Sequence, residues 1–267
     1  MTWGARGLTV HRGGHLALDT VTLEVGPGEI AVVVGGDGAG KTTLCRTLVG
    51  LDPVSGGEVI RPERTGFQPE TSGAWAELTV IENLEFVAGA YRLETGAARA
   101  RIEELVEIAQ LGEARDRLAR HLSGGMRQKL GVAMAMLSAP ELLVFDEPTT
   151  GLDPVSRLEI WSLLTRSARE GRALVVTTAY VDEAHRGDSV LALDEGRVLA
   201  SGSVDEVVAS MPGALFESER RQGIVSWRRG RTWRAWSPDG SPLPGNRVTP
   251  DLADVITVAA IAGERST

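Results

Sequence analysis

Residues 35–43 read Gly-Gly-Asp-Gly-Ala-Gly-Lys-Thr-Thr, and this stretch decides the fold of the chain. An apolar, β-branched run over residues 30–34 precedes it, and a helical pattern over residues 44–49 follows it. Strand, glycine-rich loop and helix in this order form the context in which G-x-x-x-x-G-K-[ST] binds phosphate. We therefore predict that the chain binds a nucleoside triphosphate.

The loop offers two kinds of phosphate ligand. Its glycines allow backbone N–H groups to close around the β-phosphate, and the helix N-terminus adds the positive end of its dipole. Lys41 should reach the β- and γ-phosphates, and the hydroxyl of Thr42 should bind Mg²⁺. The candidate nucleotide-binding residues of the loop are Gly35, Gly38, Ala39, Gly40, Lys41, Thr42 and Thr43.

Composition indicates a globular chain without a dominant basic face. The chain has 267 residues, 42% of them hydrophobic, and a formal net charge of −8, which argues against nucleic acid as the main partner. Cys45 can form no internal disulfide, and we interpret it as a small buried side chain in a reducing compartment. We expect no signal peptide in residues 1–12. No stretch approaches the roughly 18 apolar residues that cross a bilayer, so we expect membrane attachment through a partner.

Apolar runs alternate with helical patterns along most of the chain. Continuous apolar runs predict buried strands at 30–34, 142–145 and 174–178, and Ser123 is placed to cap a helix that ends near residue 137. Strands interleaved with helices indicate an α/β fold with a mainly parallel sheet covered on both faces.

After residue 208 the composition changes, with three of the six tryptophans and a group of arginines in one short segment. We interpret residues 211–267 as a small C-terminal α+β accessory module, with a hairpin formed by residues 224–227 and 232–236 and a helix over 251–261. The arginines are expected to form a solvated face, with an anionic partner or a lipid surface as the alternative. They are Arg220, Arg221, Arg228, Arg229, Arg231 and Arg234.

Further motifs indicate the reaction class that the phosphate loop serves. Residues 122–128 read Leu-Ser-Gly-Gly-Met-Arg-Gln, residues 142–148 read Leu-Leu-Val-Phe-Asp-Glu-Pro, and residues 150–153 read Thr-Gly-Leu-Asp. With these motifs, residues 5 to about 205 resemble the ATPase subunit of ATP-binding cassette (ABC) transporters. The resemblance implies a P-loop ABC ATPase core over residues 1–210, with an antiparallel β subdomain and a helical subdomain at about 72–138.

In that family two such domains face each other, and each ATP lies between the phosphate loop of one chain and the Leu-Ser-Gly-Gly helix start of the other. The resemblance thus implies ATP and Mg²⁺ as ligands, with a second ABC ATPase and a transmembrane permease subunit as partners. Ser123, Gly124 and Gly125 would offer backbone N–H groups to a γ-phosphate. Asp146 would hold Mg²⁺, and Glu147 would polarise the attacking water. The chain would be cytoplasmic and peripheral, held on the inner face of the membrane by the permease.

Three positions depart from the family pattern. The place of the aromatic residue that stacks on adenine falls on Arg12, whose guanidinium can also stack on a purine. Glu70 stands where the family has a glutamine; it can still bind Mg²⁺, but its charge changes the γ-phosphate environment. Ala179 stands where a histidine would contact the γ-phosphate, and we interpret His185 as a surface histidine. The candidate catalytic residues are Glu147, Lys41 and Glu70, and the candidate Mg²⁺ ligands are Thr42, Asp146 and Glu70.

Loss of one contact to developing phosphate charge costs about 10²–10³ in rate, so slow hydrolysis is predicted at this chain's own site. A heterodimer with a complete second ATPase is therefore favoured, and a homodimer stays open. Residues 78–84 and 250–255 are similar to elements of exporter-type subunits. Trp75 is expected at the surface that receives the permease, with a surface aromatic of no role as the alternative.

Two other functions stay open beside transport. One is a non-transport ABC ATPase acting on ribosomes or DNA. Such a protein would be expected to carry tandem cassettes, a coiled-coil insertion or a basic face. The other is a regulatory subunit that holds ATP with little turnover, and ATP hydrolysis by the assembled complex after mutation of Glu147 would distinguish it.

Overall fold

The computed structural model describes residues 1–223 and 225–264, which form three β-sheets and seven α-helices. The strands are β1 (Trp3–Arg12), β2 (His15–Val25), β3 (Ile30–Val34), β4 (Gly56–Ile60), β5 (Thr65–Gln68), β6 (Leu142–Phe145), β7 (Ala173–Thr178), β8 (Ser189–Asp194), β9 (Arg197–Gly202), β10 (Ala214–Ser218), β11 (Ser226–Arg229), β12 (Thr232–Ser237) and β13 (Asn246–Val248). The α-helices are α1 (Lys41–Leu48), α2 (Val80–Ala90), α3 (Thr95–Ile108), α4 (Gly124–Met136), α5 (Pro154–Arg169), α6 (Val204–Ala209) and α7 (Leu252–Glu264). Short 3₁₀ segments lie at Gly112–Ala114, Ala119–His121 and Val181–Arg186.

The central sheet has the strand order β5-β6-β7-β3-β8-β9. Strands β5, β6, β7, β3 and β8 run parallel to one another, and the edge strand β9 runs antiparallel to β8. Every residue of β3 and β6 is buried, as the continuous apolar runs predicted for strands covered on both faces. Because parallel strands end at one edge of the sheet, the loops after β3, β5, β6 and β7 meet there.

An antiparallel sheet of order β2-β1-β4 packs against the phosphate-loop side of the central sheet. One apolar cluster joins Leu8 and Leu18 of this sheet to Leu44 and Leu48 of α1. This sheet positions the start of β2 beside the phosphate loop.

Side-chain capping groups set the starts of α2 and α4, and the cap of α4 was predicted. Ser123 caps α4, since its hydroxyl accepts a hydrogen bond of 3.2 Å from the Met126 amide, as predicted. At the start of α2, the Thr79 hydroxyl accepts from the Glu82 amide at 3.2 Å, and the Glu82 carboxylate accepts from the Thr79 amide at 2.7 Å. This reciprocal capping box sets the start of the helical subdomain.

A third, antiparallel sheet of order β11-β12-β10-β13 forms after residue 210 and packs against α7. The predicted hairpin is present as β11 and β12, while Ile224 lies outside the described residues. Leu252 and Val255 of α7 belong to the apolar core of the main domain. The extent of the accessory module, 211–267, stays a prediction, and residues 265–267 lie outside the described part.

The expectation that all six arginines form a solvated face is wrong for Arg234, whose side chain is only 14% exposed, while Arg229 is exposed and also ion-paired. The Arg229 guanidinium lies 2.9 Å from the Asp254 carboxylate, whose side chain is fully buried, and Arg234 pairs with the same carboxylate. Arg229 also pairs with Asp251 and lowers the pKa of that carboxyl to about 2. A buried carboxylate needs cations nearby, so these two arginines attach the sheet to α7.

None of the helices formed by the described residues has the length and hydropathy of a membrane-spanning segment.

Candidate nucleotide site

The phosphate loop forms the floor of a cavity of about 580 Å³. The loop connects β3 to α1, and Gly40, with φ 103°, precedes the first residue of the helix. A Cβ atom at Gly40 would lie 2.7 Å from the Leu18 side chain and 2.9 Å from the Ala17 carbonyl oxygen. Only glycine fits this close approach with a left-handed backbone. The cavity is lined by Leu16, Ala17, Gly36, Asp37, Gly38, Ala39, Gly40, Lys41, Thr42, Thr43, Glu70, Glu147 and Glu195.

Lys41 is buried, with 4% of its surface exposed, and its ammonium group has three partners. Its Nζ atom donates to the carbonyl oxygens of Gly35 at 2.6 Å and Gly36 at 2.8 Å. The same atom lies 3.0 Å from Oε1 of Glu147. The structure thus brings together two predicted catalytic residues that are separated by more than a hundred positions in the sequence.

Asp146 and Thr42 meet at the end of β6. Asp146 is 1% exposed, and its Oδ1 accepts a 2.9 Å hydrogen bond from the Thr177 hydroxyl of β7. Burial raises the pKa of the Asp146 carboxyl, and hydrogen bonds from Thr177 and Thr42 oppose that rise. Two of the three side chains predicted to hold Mg²⁺, Thr42 and Asp146, are therefore in hydrogen-bonding contact at the phosphate loop.

Glu147 is held at its backbone and at both carboxylate oxygens. Its φ angle of 50° is uncommon for a non-glycine residue, and its amide donates to the Thr177 hydroxyl at 2.9 Å. Oε1 contacts Lys41, and Oε2 accepts a 2.7 Å hydrogen bond from the Thr150 hydroxyl. These contacts aim the carboxylate into the cavity.

The donor set fits a Mg²⁺ ion that is completed by phosphate and water. Among the described residues no group of three or more His, Cys, Asp or Glu side chains is arranged around one point. Mg²⁺ commonly keeps several waters and uses one or two carboxylates with substrate phosphates. One carboxylate, Asp146, with the hydroxyl of Thr42 matches that pattern.

Glu70 is exposed and lines the cavity, whereas Gln68 does not reach it. Gln68 is fully buried at the end of β5, and its amide nitrogen donates to the side-chain oxygen of Gln128. Gln128 in turn donates to the backbone oxygen of Glu70 at 3.0 Å. Glu70, rather than Gln68, is therefore the side chain available to a bound nucleotide at this edge of the sheet.

Arg12 lies at the end of β1 and is not part of the cavity wall in this structure. Its guanidinium is exposed and lies 4.0 Å from the Asp52 carboxylate. Its stacking on adenine stays a prediction. Sequence reasoning missed Leu16, Ala17 and Glu195, which do line the cavity.

The missed residues come together through a backbone contact. Asp19 donates from its amide to the Gly196 carbonyl oxygen at 2.9 Å, which holds the β8–β9 turn against β2. The Asp-Glu-Gly sequence at 194–196 indicates a turn, but nothing in it indicates that the turn closes the nucleotide cavity.

The start of α4 is separate from this cavity. Ser123 and Gly124 are exposed, and neither lines the cavity that holds Lys41. Gly125 is buried beside α5, where a Cβ atom would lie 2.6 Å from the Ser156 hydroxyl oxygen. Ser123 and Gly124 thus face solvent rather than the phosphate loop of the same chain.

Ala179 follows the last residue of β7 and is exposed, and its methyl side chain offers no hydrogen-bond donor. His185 is exposed in the 3₁₀ segment, as expected for a surface histidine.

Comparisons with known proteins agree with this geometry. A family model described as ABC transporter matches residues 18–150. The Nod factor export ATP-binding protein I of Cupriavidus metallidurans is 38% identical over 214 residues, which cover 75% of this chain and 71% of that protein. The chain belongs to the ABC transporter family, among its ATP-binding proteins.

A second relative of this ABC protein is the probable multidrug ABC transporter ATP-binding protein YbhF of Escherichia coli, 38% identical over 203 residues. The match covers 71% of this chain and only 35% of YbhF, so the chain spans about a third of that relative. A solved dimeric ATP-binding cassette, MJ0796, bound to ADP and Pi, matches with a TM-score of 0.67 and 25% identity, over 76% of this chain and 98% of that one. The predicted P-loop ABC ATPase fold is confirmed.

Proposed function

We propose that this ABC protein binds MgATP and hydrolyses it to drive an exporter, as the cytoplasmic ATP-binding subunit of the transporter. The observation that carries the proposal is the convergence of Lys41, Thr42 and Glu147 on one cavity, with the buried Asp146 carboxylate hydrogen-bonded to Thr42. Relatives named for multidrug transport and for Nod factor export support an exporter. The test is MgATP binding by the purified chain, followed by ATP hydrolysis by the complex that it forms with its membrane partner. A chain that binds no MgATP would contradict the proposal.

Each residue of the site has a distinct task. The amides of the phosphate loop and Lys41 bind the β- and γ-phosphates. Thr42 and Asp146 would hold Mg²⁺, which supplies positive charge against the phosphate oxygens. A γ-phosphate competes with Glu147 for the Lys41 ammonium, and the carboxylate released in this way can orient a water and accept its proton. Glu70 adds negative charge near the same phosphate.

The site built on this chain's own phosphate loop is proposed to turn over slowly. Ala179 offers no donor to the charge that develops on the γ-phosphate. The helix start at Ser123 is intact and exposed, so it can complete the site of a facing ATPase. A heterodimer with a second, complete ABC ATPase therefore contains one slow and one fast site, whereas a homodimer contains two slow sites.

Introducing the missing donor should speed hydrolysis. We expect Ala179→His to raise the ATPase rate of the purified chain by about tenfold or more, since removal of one such donor from a complete site lowers the rate by roughly 10²–10³-fold. Ala179→Leu, which adds volume without a donor, is the matched control and should leave the rate unchanged or lower. Steady-state phosphate release is the measurement. Brisk hydrolysis by the unmodified chain with no gain from Ala179→His would refute the slow-site proposal.

Trp75 is proposed to lie where the permease docks. Its side chain is 44% exposed and packs against the tilted ring of Phe86, which is 53% exposed. The ring centroids are 4.4 Å apart. Asn83 holds the Trp75 backbone through hydrogen bonds of 2.7 Å and 3.1 Å. A fixed, exposed aromatic pair is a surface that a partner commonly covers.

Cross-linking tests this docking surface. We expect a cysteine at position 75 to cross-link to a cysteine scanned along the cytoplasmic segments of the permease, while a cysteine at Val54, which is 41% exposed in the antiparallel subdomain, does not. Cys45 is fully buried, and burial raises the pKa of its thiol well above the ordinary value, so it should not react. Failure of position 75 to cross-link with ATP both present and absent would count against docking.

A second candidate function is a regulatory subunit that holds ATP with little turnover, and Ala179 is the observation that favours it. The two candidates differ in whether Glu147 matters to hydrolysis by the assembled complex.

A further inference from the structure

A buried carboxylate outside the cavity links the segments on which the nucleotide site depends. Glu183, in the 3₁₀ segment Val181–Arg186, is 1% exposed. Its Oε2 accepts hydrogen bonds from the hydroxyls of Thr149 at 2.8 Å and Thr178 at 2.7 Å. Its Oε1 accepts from Nε of Arg157 at 3.1 Å and lies 3.0 Å from another nitrogen of the same guanidinium. Both carboxylate oxygens are therefore fully used.

The partners of Glu183 come from three different elements. Thr149 lies two positions after Glu147, in the loop between β6 and α5. Thr178 is the last residue of β7 and directly precedes Ala179. Arg157 is in the first turn of α5, and its guanidinium stacks on Tyr180 at 4.2 Å from the ring centroid. One carboxylate thus joins the loop after Glu147, the end of β7 and the start of α5.

The loop held by Glu183 also holds Glu147. Thr150 follows Thr149 and donates its hydroxyl to Oε2 of Glu147 at 2.7 Å. Its amide donates to the Glu147 carbonyl oxygen at 3.3 Å, which closes a tight turn around the unusual φ angle of 50°. If Thr149 loses its acceptor, Thr150 is free to move, and the Glu147 carboxylate loses its second anchor.

We propose that Glu183 is a positioning residue that fixes the carboxylate of Glu147 through Thr149 and Thr150. The inference rests on the proposed role of Glu147 in hydrolysis. Glu183 touches neither the cavity nor Lys41, so its removal should affect the chemical step rather than nucleotide binding. Because Ala179 offers no donor, the position of Glu147 carries more of the remaining catalysis, and a displacement on the order of 1 Å can cost about 10²-fold in rate.

Glu183→Gln is the first variant, because it keeps the shape of the side chain. An amide can accept on only one side, so it cannot serve the two threonine hydroxyls and the Arg157 guanidinium together. The matched control is Asp182→Asn, which removes the neighbouring carboxylate; that group is 78% exposed and lies 3.5 Å from Arg157. Thr149→Val and Thr149→Ser form a second pair, in which only serine keeps the hydroxyl that donates to Glu183.

Hydrogen–deuterium exchange on the purified chain without nucleotide reads out the loop directly. Glu183→Gln and Thr149→Val should speed exchange of the amides in residues 147–152 by about fivefold or more, while the amides of β3 stay protected. Asp182→Asn and Thr149→Ser should leave the exchange of these amides unchanged. This result does not depend on ATP turnover, so the positioning inference is tested even if the proposed function fails.

Kinetics provide the second readout. Under single-turnover conditions Glu183→Gln and Thr149→Val should lower the rate of hydrolysis by about 10- to 100-fold, with the Kd for MgATP within about threefold of the unmodified chain. Thr149→Ser should recover most of the rate. Unchanged exchange at 147–152, or equal losses of binding and rate, would overturn the inference. A wild-type complex that binds no MgATP would instead overturn the proposed function.

Discussion

Replacing Lys41 by alanine should lower the affinity for MgATP by about 100-fold or more. Lys41 is the cation of the phosphate loop, and its ammonium is already fixed by the Gly35 and Gly36 carbonyl oxygens at 2.6 and 2.8 Å. A pre-positioned, 96% buried charge loses little entropy when phosphate binds, so its removal is costly. Equilibrium titration with a fluorescent ATP analogue measures the change.

The chain offers a matched control because it has a second lysine in an ion pair with a glutamate. Lys129 of α4 lies 2.6 Å from the Glu159 carboxylate of α5 and does not line the cavity. Lys129→Met should leave the MgATP affinity unchanged, while circular dichroism confirms that each variant is folded. An affinity of Lys41→Ala within a few-fold of the unmodified chain would refute the nucleotide-site assignment.

Replacing Glu147 by glutamine should lower ATP hydrolysis by about 10²–10⁴-fold, because an amide cannot accept the proton of the attacking water. The affinity for MgATP should not fall with the rate of hydrolysis. Glu147 lies 3.0 Å from Lys41, and its negative charge competes with the γ-phosphate for that ammonium. Glu147→Gln removes the competitor, so the affinity for MgATP should stay equal or rise. Phosphate release and nucleotide binding, measured on the same preparation, separate the two effects.

Glu159→Gln is the control for this variant, since it makes the same chemical change in the ion pair with Lys129. It should alter neither hydrolysis nor binding. The assay should be run on the purified chain, because a complete second ATPase would supply the fast site of a complex. Hydrolysis by the purified chain that survives Glu147→Gln would contradict a catalytic role for Glu147, and reduced binding would contradict the proposed competition for Lys41. Hydrolysis by the assembled complex that survives Glu147→Gln would mean that its turnover takes place at another site, as expected for a regulatory subunit.

Local structure was largely predictable from the sequence. The limits of β3 and β6 match the apolar runs, and the cap of α4 is the serine that the pattern indicated. Such features depend on residues within a few positions of one another, through side-chain alternation, helical periodicity and capping. The identity of the phosphate loop likewise follows from neighbouring residues, since the strand, the glycines, Lys41 and Thr42 are consecutive.

Contacts between distant segments depended on the tertiary structure. The sequence motifs indicated Lys41 and Glu147 as catalytic residues of one site. Only the strand order β6-β7-β3 brings their side chains to within 3.0 Å of each other. The same order inserts β7 between them, so that Thr177 holds Asp146 and Glu147, and Thr178 holds Glu183. Alternation along the strand aims these two adjacent threonines to opposite faces, but no local pattern shows which carboxylate each of them contacts.

The partners of the arginines in the last segment and the wall of the cavity also depended on contacts between distant segments. The sequence shows six arginines in this segment but not their partners. Arg229 and Arg234 are ion-paired because α7 packs against the sheet and places Asp254 beside them. Leu16 and Glu195 line the cavity because β2 and the β8–β9 turn pack beside the phosphate loop. The sequence by itself determined the strand, loop and helix that can bind phosphate, because these are set by neighbouring residues. Only the tertiary structure decided which distant side chains surround that phosphate, because burial and sheet order set those distances.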